Sequence, residues 1–267
     1  LQVLYQERLY SVGKIPGGFL RREGKASDEA TLIARQMDRP LRPLFPENYY
    51  NDVQIIATVL SMDHDHLPDA LTTIGASIAL GISDIPFDGP VGACMVGKVD
   101  GKLVVNPNEA DRKKSDLNLT VAGKKGAINM VEAGANELDE GEMLEAMLLA
   151  LEEIGNISDF IQTIVDDIGL PKKEVEEHEE SELDRLISEN FEEEIKASIR
   201  TTDKTEREDN IFRIEEEAKE KFLADFPETE DEIHRRIDDI MKKEVRRMIS
   251  IDKIRPDGRD LTEIRQL

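Results

Sequence analysis

The stretch Lys14-Ile-Pro-Gly-Gly-Phe-Leu-Arg-Arg-Glu-Gly-Lys25, followed by Ala26–Met37 and then Asp38-Arg-Pro-Leu-Arg-Pro-Leu-Phe-Pro46, decides how this chain is read. The 267 residues carry a formal net charge of −23, yet residues 14–42 hold seven bases against four acids. A basic island in an acidic chain is a candidate seat for an anionic ligand. Gly17-Gly18 lets the backbone turn where a Cβ would forbid it. The sequence then predicts Phe19 and Leu20 at a turn tip, followed at once by Arg21 and Arg22. An aromatic beside paired guanidiniums suits a single nucleic-acid strand, the ring stacking on a base and the guanidinium forks gripping phosphates. The same residues also fit a core phenylalanine beside a solvated basic turn, and both readings stay open on the residues alone.

Outward from that island the chain alternates element types. Val3–Tyr10 has β-favouring residues and Ser11–Gly18 reads as loop. Ser27 is placed as a helix N-cap, with Asp28 and Glu29 in the first turn, where acids suit the helix dipole. The helix is expected to run to about Met37 and to stop before Pro40. Should it reach further, Arg35 and Arg39, four apart, share a face. They then either face a ligand together or serve as ion-pair partners of Asp38 and neighbouring acids. Asp52–Ser61 reads as a buried strand and Asp69–Ile82 as a helix, whose small residues Gly75, Ala76, Ser77 and Ala79 permit close packing on a sheet.

Two motifs mislead. Asp63-His64-Asp65-His66 has metal-ligand residue types, but successive residues in a polar turn rarely converge on one ion. Gly92-Ala-Cys-Met-Val-Gly97-Lys98 has phosphate-loop spacing, but Val99 stands where Ser or Thr is needed. A hairpin turn at Asp100-Gly101 follows where the motif requires a helix. The β reading pairs Val91–Val99 with Lys102–Asn106, and Leu117–Ala122 and Ala127–Glu132 read as two more strands before a helix over Glu140–Ile168. A βαβ run, antiparallel strands and a long helix predict an α+β layer fold.

Composition shifts after Pro171. Residues 171–250 hold 27 acids against 16 bases and no β-rich run. Glu174–Glu180 reads as an acidic linker. Three apolar stripes follow: Leu183, Ile187, Phe191 and Ile195; Ile211, Ile214, Ala218 and Phe222; Ile233, Ile237, Met241 and Val245. Their helical spacing predicts a small bundle. Cys94 is the one cysteine, so no internal disulfide can form, and it fits a small core residue. No apolar run is long enough to span a bilayer and no signal-peptide pattern is evident, which predicts a cytoplasmic protein. The charge argues against a broad nucleic-acid surface, so any such contact is local. No histidine has a Ser or Cys partner motif, and no catalytic or metal-ligating residue is assigned.

Phe19-Leu-Arg-Arg-Glu-Gly-Lys25 with Ile33-Ala-Arg-Gln-Met-Asp-Arg-Pro-Leu-Arg-Pro-Leu-Phe-Pro46 resembles the polynucleotide phosphorylase family, in the first of its two RNase PH-like cores. The resemblance continues through Ile74-Gly-Ala-Ser77, Ile85-Pro-Phe-Asp-Gly-Pro90 and Val131-Glu-Ala-Gly134. It resumes at Ile254-Arg-Pro-Asp-Gly-Arg259. It implies an α+β RNase PH-like core entered part-way, with its halves at 1–88 and 89–170. It further implies an all-helical domain at 171–250 and the opening of a second core at 251–267. It also implies phosphorolytic 3′-to-5′ degradation of single-stranded RNA in mRNA turnover, with inorganic phosphate as co-substrate and nucleoside diphosphates released. Mg²⁺ or Mn²⁺ is expected on the second core, so these residues alone are expected to be inactive. The family's pore loop maps onto Phe19, Arg21 and Arg22 as RNA-binding residues. Leu20 departs from a second aromatic there. Lys25, Arg35 and Arg39 are further candidates for RNA or phosphate contact. A homotrimer and RNA-degradation complex proteins are the implied partners. The alternative is a non-catalytic RNA-binding or scaffold protein built on a degenerate core.

Overall fold

The structure, a computed structural model, describes residues 1–17, 24–63, 65–175 and 180–265. The chain divides into two compact units, Leu1–Glu177 and His178–Leu267.

The first unit opens on a βαβ run. Strand β1 (Gln2–Glu7) and strand β2 (Gln54–Val59) pair in parallel, with Gln2 opposite Gln54 and Glu7 opposite Val59. Parallel neighbours need a crossover, which helix α1 (Asp28–Leu41) supplies. The expected strand over Val3–Tyr10 ends earlier, and Leu9–Val12 forms a 3₁₀ turn. Ser27 caps α1 as expected, its Oγ accepting from the Ala30 N–H at 3.0 Å.

The expected stop before Pro40 does not occur. α1 continues through Pro40 to Leu41. Proline forfeits one helical hydrogen bond, but tertiary contacts offset it. Met37 and Leu41 are fully buried, and the Asn129 amide donates to the Pro40 carbonyl at 3.0 Å. Strand β2 also departs from expectation: it is not buried throughout. Ile55 and Val59 point inward while Ile56 is half exposed, the alternation of a strand with one open face.

Helix α2 (Asp69–Ile82) has the expected bounds. Beyond it, strands β3 (Gly92–Val99), β4 (Lys102–Val105), β5 (Leu117–Lys124) and β6 (Ala127–Ala135) make an antiparallel sheet of order β4-β3-β5-β6. A single turn, α3 (Glu109–Arg112), joins β4 to β5, and helix α4 (Glu140–Ile168) follows β6.

β3 is buried along nearly its whole length because both its faces are covered. Ala93 packs with Met37, Leu41, Ala76 and Leu80 of α1 and α2, while Cys94 and Val96 pack with Ala146, Ala150 and Ile154 of α4. Gly92 explains itself here. A Cβ at that position would lie 2.8 Å from the Ile154 carbonyl oxygen, so glycine admits the α4 backbone. That requirement accounts for the phosphate-loop resemblance without a phosphate. The hairpin at Asp100-Gly101 has φ of 49° and 76°, the left-handed pair of a tight β-turn.

The end of this unit is pinned. Lys172 Nζ donates to the carbonyls of Leu80, Gly81 and Ser83 at 2.7, 2.8 and 2.7 Å, capping the C-terminus of α2. Leu170 and Lys173 add backbone bonds to Ile82 and Asp84. Residues 171–173 therefore pack with the α+β unit.

The second unit is helical: α5 (Glu182–Ile199), α6 (Lys204–Phe222) and α7 (Glu230–Arg247), then a π turn over Met248–Asp252. Leu183, Ile187, Phe191, Ile195, Ile214 and Ile237 share its core. On α7 the stripe drifts from expectation, with Ile240 buried and Met241 and Val245 only partly so. Glu244 is also buried. Its carboxylate accepts from Arg200 at 2.8 Å and from Arg247 at 2.9 Å. Those guanidiniums, Arg247 first, hold its carboxyl down to about 2. Residues Ile254 and Asp260 form an antiparallel bridge, and Arg207 reaches the Pro256 carbonyl at 3.3 Å.

Candidate functional site

The basic island surrounds α1. Phe19, Arg21 and Arg22 lie outside the described residues, as does His64. Gly17, the last described residue before them, has φ of 71°, the left-handed conformation glycine permits. Lys14, Lys25 and Arg35 are exposed and make no ion pair among the described residues.

Arg35 and Arg39 both lie within α1, so the four-residue spacing does place them on one face. Their environments differ. Arg39 Nη1 meets Glu132 Oε2 of β6 at 3.2 Å. Asp38 pairs with Arg42 at 2.7 Å, and Arg42 also donates to the Leu1 carbonyl at 3.0 Å. Arg39 is thus an ion-pair partner, of Glu132 and not of Asp38.

Lys25 stands at the other end of α1, on a cleft of about 650 Å³. Glu7, Glu29 and Asp69 line it with Tyr5, whose hydroxyl donates to Glu7 at 3.0 Å. Burial raises the Tyr5 phenol, with Glu7 reinforcing it. Burial also raises the Asp69 carboxyl, to which the Glu29 charge adds. Arg8 lines the same cleft, so bases and acids are mixed along its walls.

Asp63 and His66 form a local turn. Asp63 Oδ1 accepts from the Asp65 and His66 N–H groups at 2.7 and 2.9 Å, and the His66 ring lies 3.2 Å from both carboxylate oxygens. The hydrogen bond from His66 holds the Asp63 carboxyl below its usual range. Among the described residues no three His, Cys, Asp or Glu side chains converge as metal ligands.

Comparison with known proteins agrees with this architecture. The 3′ exoribonuclease family, domain 1, matches residues 1–86, and domain 2 of that family matches 89–153. The polyribonucleotide nucleotidyltransferase RNA binding domain matches 182–260. A crystal structure of rice (Oryza sativa) Rrp46 superposes with a TM-score of 0.50 at 14% identity, covering 62% of this chain and 72% of that one. That likeness concerns the fold. The α+β unit is thus the paired-domain core of the 3′ exoribonuclease family.

Relatives in sequence are more specific. The polyribonucleotide nucleotidyltransferase of Finegoldia magna is 50% identical over 98% of this chain, and that of Clostridioides difficile is 50% identical over 100% of this chain. The Heliobacterium modesticaldum protein of the same name is 48% identical. With all three domain matches in order, the chain belongs to the polyribonucleotide nucleotidyltransferase family. It spans 37–38% of the length of these relatives.

Proposed function

We propose that this chain is the RNA-channel and scaffold portion of a phosphorolytic 3′-to-5′ exoribonuclease. In that reaction inorganic phosphate attacks the terminal linkage of single-stranded RNA and releases nucleoside diphosphates. One observation carries the reading: three domain segments of one enzyme family follow in order across both structural units. Phe19, Arg21 and Arg22 are the proposed RNA grip, and Arg35 of α1, which has no ion pair among the described residues, is proposed as a further contact. A homotrimer with these loops around its pore, Mg²⁺ or Mn²⁺ held elsewhere in the polypeptide, RNA-degradation complex partners and a cytoplasmic setting belong to the same proposal. Among the described residues no helix is long and apolar enough to cross a membrane.

The test is to incubate the complete gene product with oligo(A), phosphate and Mg²⁺. Phosphate-dependent release of ADP is expected. RNA binding without ADP release would favour a non-catalytic scaffold instead.

A further inference from the structure

The helical unit has one basic end. Residues 180–241 hold 22 acids against ten bases, whereas residues 242–259 hold seven bases against three acids. Those three acids are neutralised within the unit. Glu244 and Asp252 accept from both Arg200 and Arg247, and Asp257 pairs with Arg259 at 2.6 Å. Lys242 pairs with Asp238 at 2.7 Å, and the Arg255 guanidinium donates to the Leu261 and Glu263 carbonyls. Three cations remain. Lys243, Arg246 and Lys253 are exposed and make no ion pair among the described residues. Asp239, one turn before Lys243 on α7, forms no ion pair with it.

The fold keeps these cations together. Lys243 and Arg246 stand three apart near the end of α7, a spacing that sets their Cβ atoms about 5–6 Å apart on one face. The π turn over Met248–Asp252 then holds the third beside them. The N–H groups of Lys253 and Ile254 both donate to the carbonyl of Met248, whose side chain is part of the bundle core. Lys253 takes φ of 61° there, an uncommon value for a residue with a Cβ.

We infer that this end of the helical unit is a second contact for single-stranded RNA, at which Lys243, Arg246 and Lys253 take phosphates of the strand. The inference rests on the RNA-degrading reading above and adds a site to it. The segment matched to an RNA binding domain, residues 182–260, contains all three cations. They lie on the surface side by side, which suits the run of charges along a strand. Residues 242–259 contain no aromatic side chain, and Ile249, Ile251 and Ile254 are the exposed large apolar residues among them. Bases therefore find no ring to stack on. The contact is expected to be indifferent to RNA sequence and sensitive to salt.

The test is a titration of this chain with fluorescent oligo(U) and oligo(A) at several salt concentrations. Lys243→Gln/Arg246→Gln/Lys253→Gln removes the charges, and Lys243→Arg/Arg246→Lys/Lys253→Arg keeps them. Each triple is made in the wild type and beside Arg21→Ala/Arg22→Ala, and thermal melts check folding. Should the glutamine triple not fold, Lys243→Gln/Arg246→Gln is read in its place. The glutamine triple is expected to bind both oligonucleotides more weakly in either background. Its salt slope should flatten by up to about 2, which is about 0.7 for each of three phosphate contacts. The charge-keeping triple should match its parent. Unchanged affinity and slope in the folded glutamine variant would overturn the inference. So would a loss confined to one oligonucleotide, which would mean base readout. Vesicles containing phosphatidylserine that lose binding in the glutamine triple, with RNA binding unchanged, would assign the cations to a membrane surface and also overturn it. Absence of phosphorolysis by the complete gene product, with the RNA result intact, would count against the enzyme reading and leave this contact standing.

Discussion

Arg39 Nη1 sits 3.2 Å from Glu132 Oε2, joining α1 to β6 across 93 residues of sequence. The guanidinium four residues before it, Arg35, has no such partner among the described residues. Two arginines of one helical face therefore do different things. Arg35→Ala is expected to weaken single-stranded RNA binding while leaving Tm unchanged. Arg39→Ala is expected to cost at most about 1 kcal/mol of stability, because both partners are roughly half exposed and solvent screens the pair. Equal effects of the two substitutions on RNA affinity and on Tm would contradict this division.

Lys172 fastens the end of the first unit. Its three bonds to Leu80, Gly81 and Ser83 satisfy carbonyls that α2 leaves open. Lys172→Met keeps much of the side-chain bulk and removes the donor. We expect a loss of about 1–3 kcal/mol in urea unfolding and faster proteolysis after Leu170. A wild-type unfolding midpoint and cleavage pattern would show the cap to be dispensable.

Glu244 gives the helical unit a pH dependence. Its carboxyl is held at about 2 against an ordinary value of 4.5. Below 4.5 the unfolded chain takes up a proton that the folded chain refuses. The stability from this group is therefore full above pH 4.5 and is lost as pH falls toward 2. Glu244→Gln should cost about 1–3 kcal/mol at pH 7, the lower end being favoured because Arg200 and Arg247 are 46% and 41% exposed. The gap between wild type and variant should narrow between pH 4.5 and 2. A gap independent of pH would mean that packing, not charge, is what the substitution removes.

The helical unit has its own core and should fold without the first. A polypeptide of residues 180–265 is expected to give a helical circular dichroism spectrum with a cooperative melt. Limited proteolysis of the whole chain should cut first within 174–180. A coil-like spectrum would show that the bundle depends on its neighbour for order.

How far the sequence reached depended on whether a feature is local. Leu183, Ile187, Phe191 and Ile195 announce a buried face because helical periodicity is written within one segment. The Asp100-Gly101 hairpin and the Ser27 cap are local in the same way. Pro40 misled because what keeps it helical, Asn129 and the burial around Leu41, lies far along the chain. The Arg39–Glu132 pair and the Lys172 cap join residues about 90 positions apart, and a lone lysine in a charged tail carries no pattern. Phe19, Arg21 and Arg22 lie outside the described residues, and their reading rests on the sequence.

Those residues are where the account is most directly tested. The measurement is a single-stranded RNA titration of the Arg21→Ala/Arg22→Ala protein beside wild type, at several salt concentrations, with thermal melts of both. The grip predicts weaker binding across RNA sequences and a salt slope flatter by up to about 0.7 per lost phosphate contact. Tm should be unchanged, since surface substitutions usually fall within about ±0.5 kcal/mol. Wild-type affinity and salt slope in a fully folded double variant would contradict it.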